Sequence, residues 1–187
     1  MLYKFDILFK KALKNGGEKV VTYSQLLENP EAFGEGEGFG DAEGELSMVL
    51  EGPESGFSIN ALMRKYRAQL VGHMNAEMFG KDFPLHFVFA RPDDLSSVRI
   101  ELRDEDDYTY SSDVHTEFIN DNMTMDMADI NSFVVLIAKD GQCELIGDCG
   151  VTVSLIQGQV AFCSESVKAL SIKADKTSLL VAYSALK

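Results

Sequence analysis

The sequence predicts a mainly β protein, a sandwich or barrel with one or two helices in its N-terminal half. Three observations carry this. The C-terminal half is a series of short apolar runs at near-regular spacing, separated by Gly or polar turns. One of these runs, Phe133 to Ala138, is continuously apolar, as a central strand is. The best helical periodicity in the chain lies in one stretch, Ser58 to Gly72.

In that stretch Ile59, Leu62, Met63, Tyr66 and Leu70 fall on one stripe, and Arg64, Lys65, Arg67 and Gln69 fall outside it. Ser58 is placed to cap the first turn and Gly72 to stop the last. Phe57 and Leu62 have the spacing of a hydrophobic staple. Before the helix, Leu2 to Phe9 suits a strand, and Asn15-Gly16-Gly17 signals a turn. Ser24 to Asn29 suits a short helical turn ended by Pro30, and Leu46 to Leu50 a strand. The acidic, Gly-rich run Gly34 to Glu45 reads as a solvated loop. It lacks the alternating oxygens of an EF-hand, and it lacks a cation for phosphate.

After the helix, Phe83-Pro84-Leu85-His86-Phe87-Val88-Phe89-Ala90 reads as a buried strand, with Arg91-Pro92-Asp93-Asp94 turning into another strand at Leu95. Glu101 to Asp107 reads as a charged surface turn and Asp107 to Asp113 as a turn or short strand. Asp140-Gly141 signals a hairpin after the central strand. Strands are expected at Cys143 to Ile146, Val151 to Ile156, Val160 to Cys163, Ala169 to Lys173 and Leu179 to Tyr183.

Composition bounds the function. The 187 residues suit a single compact domain, and 45% hydrophobic with 25% charged residues is ordinary for a soluble chain. A net charge of −13 opposes nucleic acid or an anionic membrane as partner. The absence of a membrane-span-length apolar run and of a secretory leader points to the cytoplasm. The three cysteines, Cys143, Cys149 and Cys163, show no C-x-x-C and are expected reduced.

Few residues suggest chemistry. His73 follows the helix and is expected exposed; His86 sits inside the buried run and is expected to be structural. Asp113, His115 and Glu117 alternate, so on a strand they share one face and form the candidate divalent-metal site. No activated nucleophile is recognisable from neighbouring sequence.

A family resemblance rests on Gly52-Pro53, Gly56, Leu70-Val71-Gly72, Phe83-Pro84-Leu85 and Asp94-Leu95-Ser96, in order. In this run the chain resembles the N-terminal part of the class I mannose-6-phosphate isomerases, zinc enzymes of the cupin superfamily. Residues 1–100 resemble that part, and residues 114–187, from Asn131-Ser132-Phe133 to Tyr183, resemble the family's last cupin half. The resemblance implies a cupin, jelly-roll-like β-sandwich. It breaks after Ser96: the family continues with Gln-x-His-Pro, two zinc ligands, where this chain has Ser97-Val98-Arg99-Ile100. The middle segment bearing the other ligands and a catalytic Arg is skipped, so no catalytic or cofactor-binding residue carries over.

These observations lead to a mannose-6-phosphate isomerase-like binding or regulatory module of carbohydrate metabolism, without isomerase activity and without a cofactor. Its partner would be a sugar phosphate or a protein. The alternatives are an active isomerase with zinc relocated to Asp113, His115 and Glu117, or a structural homo-oligomer, for example a homodimer.

Overall fold

In the computed structural model the described residues are 1–6, 8–12, 15–16, 18–22, 25, 28–29, 39–40, 48–72, 86–90, 99–103, 109–111, 113–119 and 121–183. The second half explains the architecture. Its strands are β8 (Asp113–Ile119), β9 (Met123–Asp126), β10 (Val134–Asp140), β11 (Gln142–Gly147), β12 (Thr152–Ile156), β13 (Gln159–Cys163), β14 (Ala169–Ala174) and β15 (Thr177–Tyr183). They divide into two antiparallel sheets, ordered β13-β10-β15-β8 and β12-β11-β14-β9. Numbered first to eighth in the chain, these are 6-3-8-1 and 5-4-7-2, the strand order of a jelly roll. β1 (Leu2–Asp6) adds to the first sheet by pairing with β13, making it five-stranded. The expected sandwich is present, and residues 113–183 supply all eight jelly-roll strands.

Alternation decides what each sheet buries. Val134, Leu136, Ala138, Ala161, Cys163, Leu179 and Val181 of the first sheet meet Cys143, Leu145, Val153, Leu155, Leu170 and Ile172 of the second in one apolar cluster. Along β11 and β12 every second residue is buried and the residues between are exposed or half-buried, so the second sheet keeps a wet outer face. The first sheet is covered on both faces. Tyr3, Phe5, Phe133, Val135, Ile137, Val160 and Phe162 lie outside the sandwich cluster yet are buried. This is why Phe133 to Ala138 reads as a continuous apolar run.

The N-terminal half fastens to this outer face. Residues 48–58 run beside β1: Phe5 bridges Val49, the Leu50 N–H donates to the Lys4 carbonyl, and Met48 bridges Ser58. Helix α1 (Ile59–Val71) follows, with the Ser58 hydroxyl accepting from the Ala61 N–H. Ile59, Leu62, Met63 and Leu70 are fully buried, as their spacing requires. Gly72 ends the helix at φ +88°, donating to the Ala68 carbonyl. Beyond it, the Glu165 N–H donates to the Leu70 carbonyl, tying the helix end to the segment after β13.

The remaining strands form two small sheets. β2 (Leu8–Ala12) lies between β3 (Glu18–Thr22) and β4 (Phe39–Gly40). The expected turn at Asn15-Gly16 joins β2 to β3, with Gly16 at φ +83°. Thr22 and Gln25 then bond reciprocally, backbone to side chain, opening the short helical turn expected there. β6 (Arg99–Arg103) pairs with β5 (His86–Ala90) and β7 (Thr109–Ser111).

Several local expectations change. The run Leu2 to Phe9, expected as one strand, divides between β1 and β2 of different sheets, and the strand expected over Leu46 to Leu50 shows, among its described residues, only isolated bridges at Met48 and Val49. Phe39-Gly40 is a strand inside the expected loop, and Glu101–Arg103 belongs to β6 rather than to a surface turn. Both are polar or Gly-rich segments recruited by a neighbouring strand, which sequence periodicity does not register. Phe57 is not a buried staple. It is 36% exposed, and the Lys65 ammonium lies 5.1 Å above its ring. Asp140-Gly141 does not close a hairpin, because β10 and β11 belong to different sheets. It is a corner at which the chain crosses the sandwich. The strand expected at Leu95 lies outside the described residues.

The corner has a tight constraint. Gly141 adopts φ +77°, and a Cβ there would lie 3.0 Å from Thr177 Oγ1 and 3.3 Å from Thr177 Cα. Thr177 is buried and donates its hydroxyl to the Gln142 carbonyl at 2.7 Å, so it cannot retreat without losing that bond. Gly150 has φ +80° but open space around it. Gly141→Ala should therefore cost about 2–3 kcal/mol, strain plus displacement of Thr177, and Gly150→Ala only about 1 kcal/mol of strain. Urea unfolding of the two variants checks this; equal losses would remove Thr177 from the account.

Candidate functional site

The candidate metal residues lie on β8, an edge strand of the first sheet. β8 pairs with β15 through seven unbroken register positions. Asp113, His115 and Glu117 stand opposite Tyr183, Val181 and Leu179. They share a strand face with Ile119, which belongs to the sandwich cluster, as do Val181 and Leu179. The strand expectation and the shared face are thus present in the backbone. The strand's rise adds a restriction. At about 3.3 Å per residue, positions 113 and 117 are about 13 Å apart, beyond what an Asp and a Glu bridge through one ion with ~2 Å bonds. An ion on this face would take His115 with one neighbouring carboxylate and complete its shell from elsewhere. Among the described residues no group of three or more His, Cys, Asp or Glu assembles that could hold a metal; the side chains at 113, 115 and 117 fall outside that description.

His86 occupies β5, opposite Arg103; His73 lies outside the described residues. The basic outer side of α1 is less a binding face than a set of local contacts. Lys65 sits 4.8 Å over the Tyr66 ring as well as over Phe57, and the Tyr66 hydroxyl donates to Glu54.

The thiols are sorted by burial. Cys143 and Cys163 lie in the sandwich core, and burial pushes their pKa up to about 11 and about 12. Cys149 is exposed in the turn between β11 and β12. A thiol whose pKa lies far above neutral pH stays protonated and unreactive. At pH 8 the native protein should react rapidly with iodoacetamide at Cys149 alone, and at all three thiols once unfolded; mass mapping of the adducts checks this.

Among the described residues two concavities involve β12. A cleft of about 410 Å³ lies between β1 and β12, walled by Leu2, Tyr3, Pro53 and Val153 with Lys4, Glu51 and Glu54 at hand. Tyr3 is buried there, which raises its phenol pKa to about 12. A hollow of about 510 Å³ lies across the second sheet, between Ser154–Ile156 of β12, Glu144 of β11 and Lys173 of β14, reaching Asn122 and Asp175. The Glu144–Lys173 ion pair, 3.3 Å, crosses from β11 to β14. Neither concavity was anticipated from the sequence. Their walls come from strands distant in the chain, and no local motif encodes that meeting.

Comparison with known proteins finds no matching family model and no matching curated protein. Among solved structures the chain is similar to mannose 6-phosphate isomerase with zinc bound, at 17% identity and TM-score 0.33, over 53% of this chain and 23% of that one. Two point mutants of phosphomannose isomerase from Salmonella typhimurium match similarly. One has 18% identity and TM-score 0.32, over 47% of this chain and 21% of the other. The second has 17% identity and TM-score 0.33, over 53% and 24%. The match spans under a quarter of the length of those enzymes, a distant structural relationship. No helix among the described residues is long and apolar enough to cross a membrane.

Proposed function

We propose that the chain is a mannose-6-phosphate isomerase-like module of carbohydrate metabolism that binds or regulates rather than isomerises. The observation that carries this reading is a scaffold kept without the expected ligands. All eight jelly-roll strands and the capped helix are in place, whereas Asp94-Leu95-Ser96 leads into Ser97-Val98 and the plain strand β6, not into Gln-x-His-Pro. Isomerisation of this class moves a proton between adjacent sugar carbons while a metal polarises the substrate. A chain without those ligands has lost that polarising centre but can keep a sugar-phosphate or protein contact.

The test is a coupled isomerase assay on mannose 6-phosphate with and without added zinc, run beside calorimetry with the same sugar phosphate. Binding without turnover is expected. Zinc-dependent turnover would overturn the non-catalytic reading; absence of binding would remove the sugar phosphate and leave a protein as the ligand.

The unbroken strand at β8 favours a second reading, a divalent ion held by His115 with Asp113 or Glu117. Elemental analysis of the purified protein, before and after zinc addition, decides it. Stoichiometric zinc lost in His115→Ala supports the site, and background metal in both samples ends it.

A further inference from the structure

We propose that β12 is a docking edge on which an extended, basic segment of a partner protein adds as a further strand. The argument starts from the ladder. The Gly147 N–H donates to the Val151 carbonyl, so Val151, Val153 and Leu155 direct their backbone polar groups to β11, and Thr152, Ser154 and Ile156 direct theirs away. The Ile156 N–H is taken by Gln159 Oε1 at 3.2 Å. Thr152 and Ser154 have no backbone partner among the described residues. Unpaired N–H and C=O groups at alternate positions of an extended strand are complementary to another extended backbone.

Edges are ordinarily guarded by charge, proline or a covering segment. β1 illustrates this: residues 49–50 lie against it and Lys4 sits on it. β12 reads Thr-Val-Ser-Leu-Ile, with no charge and no proline. Its flanks expose apolar surface, Val151 at 45% and Ile156 at 54%.

The cleft supplies the second observation. The cleft beside Val151–Val153 borders this strand, whereas the hollow runs from it across β11 and β14. An added strand sends alternate side chains to opposite faces, one set toward the cleft against Leu2 and Tyr3, the other over the wet face of the second sheet. Backbone pairing would give affinity and the cleft selectivity.

Charge selects the occupant. Glu51, with its side chain 67% exposed and paired with Lys4 at 3.2 Å, and Glu54 border the cleft, a net negative charge beside the edge. With −13 on the whole chain, a basic segment is attracted and a second copy is repelled. The inference rests on the strand order, the cleft and the charge beside it, and stands whether or not a sugar phosphate binds.

The probe is a short blocked peptide of alternating valine and lysine, followed by amide hydrogen exchange at low salt. In the unliganded protein the Thr152 and Ser154 amides should exchange fast, and those of Val153 and Leu155 slowly. The peptide should slow exchange at Thr152 and Ser154 at least about tenfold. N-methylation of alternate peptide amides, or glutamate in place of lysine, should abolish the effect. Thr152→Pro, which removes only an outward N–H, should do the same with the thermal transition retained. Should that variant fail to fold, the N-methylated peptide decides alone. No slowing with the parent peptide, or equal slowing with its N-methylated form, overturns the proposal. Slowing that grows with protein concentration without peptide also overturns it and gives the edge to a second copy.

Discussion

Phe162→Ala should lower stability by about 3–5 kcal/mol, the range for an aromatic truncated in a packed interior. Phe162 is 1% exposed on β13, between Tyr3 of β1 and Val135 of β10 in the register. Its ring stacks on Phe133, centroids 5.5 Å apart and planes 13° from parallel. The substitution removes both the buried area and an aromatic pair worth about 0.5–1.5 kcal/mol beyond that area. For a chain of this size the loss corresponds to a fall in Tm of roughly 6–20 °C. Phe133→Ala should cost a similar amount, and the double variant less than the sum, because the two rings are direct partners. Calorimetry on the four proteins of the cycle measures this. The face concerned looks away from the jelly-roll core. A loss within about 1 kcal/mol would mean that the N-terminal half does not cover it.

What could be read from the sequence follows from the range of the interactions involved. Helix α1 was legible at its ends and on most of its stripe: Ser58 caps it, Ile59, Leu62, Met63 and Leu70 are buried, and Gly72 ends it, whereas the kink at Tyr66 (φ −128°), which is only half-buried, was not. The legible features all depend on neighbours within a few residues. Strand positions from β10 to β15 were legible to within two residues for the same reason. Strand partners were not. Asp140-Gly141 encodes a reversal of direction, but not whether the returning strand pairs with the outgoing one. That choice is made by burial. Val134–Ala138 is buried on both faces and needs neighbours on either side, which β13 and β15 provide. β11 has one wet face and belongs to the other sheet. The contrast between a continuous apolar run and an alternating one is in the sequence, yet only the assembled sandwich turns it into a corner. The candidate residues divide likewise. Asp113, His115 and Glu117 share a face because strand period is local, whereas the β12 edge and the cleft beside it exist only once the strand order is known.

Leu62→Ala should cost about 2–5 kcal/mol, and Arg64→Ala within roughly 0.5 kcal/mol. Leu62 is fully buried and Arg64 exposed on the same helix, two positions apart. The pair therefore tests orientation with propensity nearly constant, since Leu and Arg are both good helix formers. Equal losses would place the wrong face inward. A second readout asks how the helix and the jelly roll share their stability. The buried thiol of Cys163 sits on β13, inside the sandwich cluster. If α1 and residues 48–58 cover the first sheet as one cooperative unit with it, Leu62→Ala should speed alkylation of Cys163 by the factor its stability loss dictates, because global opening exposes the thiol. Arg64→Ala should leave the rate unchanged. Cys163 labelling that ignores Leu62→Ala, while the circular-dichroism transition of the helix moves, would show the jelly roll of residues 113–183 holding itself together without the helix.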